Sequence, residues 1–99
     1  MSDNEIPLKH RLNLETGIIT WKELQLFFAK GNLLQVQVDE DLVATAELIA
    51  ENREKELSAL IEKDKISFVQ ADWVKQNCQA NSEFWAVVVA PYVICQIKN

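Results

Sequence analysis

The sequence predicts an α+β fold: a small three-stranded sheet covered by about five helices, in a single compact domain over residues 1–99. Three observations carry this prediction. The 99 residues are near the usual domain size, enough to bury one core without metals or disulfides. An apolar fraction of 48% beside 25% charged residues, with only two Gly and two Pro, describes a chain folded nearly throughout. Segments with helical periodicity outnumber those that alternate with period two, and their order is mixed. The acidic, polar start from Met1 to Glu5 has neither the basic beginning nor the apolar centre of a secretory signal, and residues 1–5 are expected to be disordered.

Leu8, Leu12 and Glu15 are spaced for a short helix beginning near Ile6, with Pro7 tolerated in its first turn. Gly17 breaks it, and Ile18-Ile19 reads as a short extended link. Thr20 and Glu23 then form a capping box, flanked by Ile19 and Leu24 as a hydrophobic staple, so a helix starts at Trp21. Its apolar face is Leu24, Phe27 and Phe28, which leaves Trp21 partly outward; Lys30 and Gly31 suit its end. From Leu33 to Val38, Leu34, Val36 and Val38 alternate with Gln35 and Gln37, the pattern of a strand with one solvated face.

Asp39-Glu40-Asp41 places three carboxylates where a helix N-terminus is positive, and an Asp there also caps. Behind it Leu42, Val43, Ala46, Ile49 and Ala50 share one side. Leu57, Leu60 and Ile61 continue a similar stripe, so residues 42–63 read as one helix or two. Two are favoured, because Asn52 is a good cap but a poor interior residue and Arg53 would interrupt the stripe. Ile66 and Phe68 around Ser67 give a second strand over residues 66–69. Ala71 to Gln79 reads as a helix with Ala71, Val74 and Cys78 inward and Trp73 opposite them.

The third strand lies in residues 85–96, within an uncharged run of twelve residues from Phe84 to Cys95. Both parities of this run are apolar, as in a strand covered on both faces. Pro91 cannot donate to a ladder, which predicts a break or a sheet edge there. Beyond it, Tyr92 to Gln96 either resumes the strand or pairs with a neighbouring chain. The run is far short of the roughly 20 residues a membrane-crossing helix needs.

Trp21-Lys22-Glu23-Leu24, then Phe28-Ala29-Lys30-Gly31, a strand leading into Asp41-Leu42-Val43, and finally Trp85 to Val93 resemble a family of short bacterial proteins known as domain of unknown function 2288. The resemblance runs from about Thr16 to Gln96, departing from the family pattern at Ala71 to Ser82, around Trp73 and Cys78. It implies a bacterial, cytoplasmic, stand-alone domain and brings no activity, cofactor or catalytic residue with it.

Chemistry is constrained by charge. The net charge is −5, and between Asp39 and Lys65 nine carboxylates face four basic side chains while the rest of the chain balances. Phosphate backbones repel such a surface, which disfavours nucleic acid, including a helix-turn-helix reading of Ala46 to Ile61. His10 is the single histidine and has no partner at metal-ligand spacing; Asp39-Glu40-Asp41 lacks the glycine and spaced carboxylates of a calcium loop. Cys78 and Cys95 form no C-x-x-C and lie on predicted core faces, where thiols are inert. The residues predict no catalytic, cofactor-binding or metal site. They point to a non-catalytic interaction or homodimerising domain of the cytoplasm, with Trp21, Trp73, Pro91, Tyr92, Asp39, Asp41 and Glu54 as the candidate surface. The alternatives are a small-molecule binder or minor enzyme with a pocket near Trp85 and Tyr92, and a DNA-binding regulator.

Overall fold

The uncharged run near the end of the chain folds back on itself in the computed structural model, which describes residues 7–98 apart from the side chain of Lys9. In chain order the elements are α1 (Leu8–Glu15), β1 (Gly17–Thr20), α2 (Trp21–Ala29), β2 (Leu33–Val36), α3 (Leu42–Ala50), α4 (Glu54–Glu62), β3 (Ile66–Phe68), α5 (Ala71–Asn77), β4 (Glu83–Val89) and β5 (Tyr92–Ile97). The expectations for Ile6 and for residues 1–5 lie outside the described residues.

Among the described residues the sheet has five strands, in the order β1-β4-β5-β2-β3, and not the three expected. Two features account for the difference. Residues 85–96 supply two strands, because the chain reverses at Ala90 and Pro91 and Val89 pairs with Tyr92. Pro91 does interrupt the run, but the second half returns along the first. The link at Ile18-Ile19 is also a strand, with Ile18 opposite Trp85 and Ile19 opposite Phe84. Four residues are too short for alternation to mark them. Only β5 and β2 are parallel; the other neighbours are antiparallel. β5 is therefore paired on both sides, by β4 and β2.

Helices cover both faces. On one, Leu12 of α1 and Leu42 and Ala46 of α3 pack on Leu34, Val36, Val87, Val89 and Ile94, with Leu57 and Leu60 of α4 against the same cluster. On the other, Trp21 and Leu24 of α2 pack on Leu33, Phe84, Ala86, Val93 and Cys95, joined by Trp73 and Val74 of α5. Fully burying a side chain such as Phe84, Leu24 or Ile94 stabilises by about 1.5–3 kcal/mol, more than a typical helix cap contributes, at about 1 kcal/mol. Burial in the two-sided core therefore outweighs local capping in holding the fold together.

Three helices end in the same way. The amides of Gly31 and Asn32 donate to Phe28 and Phe27, those of Asn52 and Arg53 to Ile49 and Leu48, and those of Asp64 and Lys65 to Ile61 and Leu60. Each is a Schellman closure whose pivot has positive φ: 76° at Gly31, 56° at Asn52 and 59° at Asp64. Asn52 does divide residues 42–63 into two helices, as the stop of α3.

Other local expectations are corrected. Thr20 does not accept from the helix backbone; its hydroxyl donates to Glu23 Oε1 at 3.4 Å. The amides of Trp21 and Lys22 donate instead to the carbonyls of Ser82 and Ala80. Gln35 is buried, not solvated, because α5 and its approach cover that face, and its Nε2 donates to Ser67 Oγ at 2.8 Å. The strand ends at Val36, leaving Val38 exposed. In α5 the inward residues are Trp73 and Val74, followed by Cys78, whereas Ala71 is exposed.

Candidate functional site

Strand register brings Leu34, Phe68 and Ile94 side by side on one face, since Leu34 lies opposite both Phe68 in β3 and Ile94 in β5. Tyr92, two residues before Ile94, shares that face. Its ring meets Phe68 edge-on, with centroids 6.0 Å apart. Over this floor, α3 and α4 do not close. Ile49 and Asn52 at the end of α3, Leu57 and Ile61 of α4, and Ala90 and Pro91 of the hairpin turn wall a mainly apolar groove of about 300 Å³. Phe68 is 47% exposed and Ile61 52%. The Schellman closure at Asn52 sets the angle between the two helices and so opens the groove.

Helix α4 is acidic. Glu54 stands two helical turns before Ile61 on nearly the same face of α4, with Ser58 and Glu62 on the stripe beside it. Between Glu54 and Glu62 three carboxylates face the single cation Lys55. The nearest arginine, Arg53, is engaged by Glu56 at 2.7 Å and Glu51 at 3.7 Å. Its hydrogen bond to Glu56 raises the guanidinium pKa and lowers that of the carboxyl. Among the described residues Glu54, Glu62 and Asp64 make no ion pair.

The candidate surface residues are dispersed. Pro91 and Tyr92 line the groove, and Glu54 lines a separate open cleft on α4 with Lys55, Ser58 and Glu62. Trp21 is not on the surface: it is buried, with ring centroids 5.8 Å from Phe28 and 6.5 Å from Phe84, because the returning strand β4 packs beneath it. Trp73 is half-buried, 5.9 Å from Phe84 on its other side. Asp39 pairs with Lys65 at 2.6 Å, and this hydrogen bond lowers the Asp39 pKa and raises that of Lys65. Asp41 caps α3, accepting from the Ala44 amide at 3.0 Å. Trp85 lines a separate open cleft with Asp41, Leu42 and Gln96, away from Tyr92. Asp41 and Gln96 are already held there in structural hydrogen bonds, whereas in the groove Ile61 and Phe68 keep about half of their surface exposed.

Sequence reasoning missed Phe68, Leu57, Ile61 and Ile49. Ile61 and Phe68 carry the pattern of core stripes, and only the distance between α4 and the hairpin turn decides that they are not covered. The thiols are free. Burial pushes Cys78 up to about 11, and burial aided by the neighbouring Cys78 pushes Cys95 up to about 12. Neither is a thiolate at neutral pH. His10 is exposed on α1. Among the described residues no group of three or more His, Cys, Asp or Glu is placed to hold a metal ion, and no helix is long and apolar enough to cross a membrane.

The model of a family described as "Protein of unknown function (DUF2288)" matches residues 7–97. The chain belongs to this family. It is similar to a protein whose NMR solution structure is solved, PA1075 from Pseudomonas aeruginosa, at 38% identity over 100% of this chain and 92% of that one, with a TM-score of 0.83. No curated protein matches the chain. Membership thus accounts for the landmarks from Trp21 to Val93 and adds no residue role to the groove.

Proposed function

We propose that this member of the family is a non-catalytic protein-interaction domain of the bacterial cytoplasm, which receives apolar side chains of a basic partner in the groove beside Tyr92. One observation carries the reading: exposed Phe68 and Ile61 line an apolar groove beside the most acidic stretch of the chain, residues 39–65, where nine carboxylates stand against four basic side chains. Apolar anchors in a groove with an opposite-charge rim divide the work of a specific interface, where anchors supply affinity and charges supply rate and selectivity. At about 300 Å³ the groove is at the lower limit for small-molecule sites, and its lining offers few polar groups to orient one. Two free thiols suit a reducing compartment. The test is differential capture from the source cell. A partner retained by the wild-type chain and by the remote surface variant Leu26→Asp, but lost by Ile61→Asp, supports the groove; equal retention by all three removes it.

A second reading, self-association, rests on the opposite edge. Ile18 in β1 is 50% exposed beside Trp85, which is 39% exposed, and among the described residues β1 has a neighbour on one side only. A two-fold β1 contact predicts a concentration-dependent dimer in sedimentation that Ile18→Lys abolishes. A monomer at every concentration ends it.

A further inference from the structure

The groove adjoins an unpaired strand edge. Among the described residues β3 has β2 on one side and no strand on the other. The Gln37 amide donates to the Lys65 carbonyl and the Val69 amide to the Leu33 carbonyl, both at 2.9 Å. In an antiparallel ladder the pairs that exchange hydrogen bonds recur at every second residue. Lys65, Ser67 and Val69 therefore turn their backbone groups toward β2, and Ile66 and Phe68 turn theirs outward. Phe68 thus presents a free amide and carbonyl at the edge and an exposed ring on the groove face.

We propose that β3 accepts an extended segment of a partner protein as a sixth strand, with alternate apolar side chains entering the groove and Lys or Arg side chains meeting Glu54 and Glu62. The inference rests on the interaction reading above and specifies its mode. Side chains of an added strand alternate between the two sheet faces. Those on the α4 side meet Phe68 and Ile61. Those on the other side meet Ser67, whose hydroxyl accepts from Gln35, and so are polar. The expected ligand alternates apolar with polar or basic residues, which is the pattern of strand-addition ligands in general: main-chain bonds give affinity and alternate side chains give selectivity. Charge selects a basic segment, since between Asp39 and Lys65 nine carboxylates stand against four basic side chains.

The experiment selects short random peptides on the intact chain, then follows the best binder by fluorescence anisotropy and by amide NMR. The expected selection alternates apolar with Lys or Arg. Binding moves and protects from exchange the Ile66 and Phe68 amides, and weakens with added salt. Phe68→Pro removes the outward amide together with the ring but leaves the bonds to β2, and should bind about tenfold or more weaker than Phe68→Ala, which removes the ring alone. Should the proline variant not fold, the same bond is tested on the wild-type chain with a peptide N-methylated at alternate residues, and the same loss is expected. Glu54→Lys should weaken binding and flatten its salt dependence. A peptide that moves Leu57, Ile61 and Tyr92, leaves the Ile66 and Phe68 amides unprotected, and binds equally when N-methylated overturns strand addition while leaving the groove reading intact. Peptides that bind only elsewhere, or a selection that enriches none, overturn both.

Discussion

The side-chain Nε2 of Gln96 donates to the backbone oxygen of Glu40 at 2.7 Å, tying the last strand to the residue before the α3 cap. The same nitrogen donates to Gln37 O, also at 2.7 Å. One amide thus fixes the turn that delivers Asp41 to the start of α3. Gln96→Leu removes the donor to the Glu40 carbonyl, while Gln37 O keeps the Glu40 amide, and should cost about 1 kcal/mol in urea denaturation. Gln96→Glu is sharper. A carboxylate facing two carbonyl oxygens favours its protonated form, so its folded pKa is raised above the ordinary value of about 4.3. The sign follows: the deficit is largest well above that folded pKa and is relieved as pH falls below the unfolded value. This variant should approach wild-type stability near pH 4 and fall behind it at pH 7.

Two residues with the same expected role should behave differently. Asp41 accepts from the Ala44 amide, and Asp41→Ala should cost about 1 kcal/mol, the usual value for a lost N-cap. Thr20 makes no such bond, and the amides of Trp21 and Lys22 are served by Ser82 and Ala80. Thr20→Ala should therefore cost well under about 1 kcal/mol. Equal losses in paired denaturant titrations would mean that Thr20 caps α2 after all.

Asn52 holds φ at 56°. Asparagine tolerates this left-handed conformation better than alanine because its side chain can hydrogen-bond locally, so Asn52→Ala should lose about 1 kcal/mol, whereas Asn52→Gly, which has no Cβ, keeps the Schellman closure at little or no cost. Because this turn sets the angle between α3 and α4, the alanine variant should also shift the amide signals of Leu57 and Ile61 in the native protein. Thermal melts and amide spectra of the two variants check both statements.

The pattern of what the sequence disclosed follows from which interactions are local. Helix stops at Gly31 and Asn52, the Asp41 cap and the interruption at Pro91 are properties of a few adjacent residues, and they are legible. Pairing partners are not local. Ile18-Ile19 becomes a strand only because Trp85 and Phe84 lie beside it, and Gln35 is buried only because Ser67 and the approach to α5 meet it. Trp21 points outward when its own helix is considered alone; the hairpin that buries it begins more than fifty residues later. The groove is least legible, since Leu57, Ile61 and Phe68 carry the same apolar signal whether a neighbouring element covers them or stops short.

Cys95 sits in the core face between β5 and α2, and burial pushes its pKa to about 12; Cys78, close by, is pushed to about 11. An unfolded cysteine titrates near about 8.5. The folded values are raised, so the thiols' contribution to stability is complete below about pH 8.5 and is lost as pH climbs toward the folded values. Denaturation free energy should thus decline through this alkaline window. The decline should be shallower in the Cys78→Ala, Cys95→Ala double variant, which lacks both protons. In the native chain an aromatic disulfide reagent should label Cys95 far more slowly than it labels the unfolded chain, because the attacking thiolate is scarce and enclosed. Fast native labelling of Cys95, or an alkaline decline unchanged in the double variant, would contradict this placement of the thiol in the core.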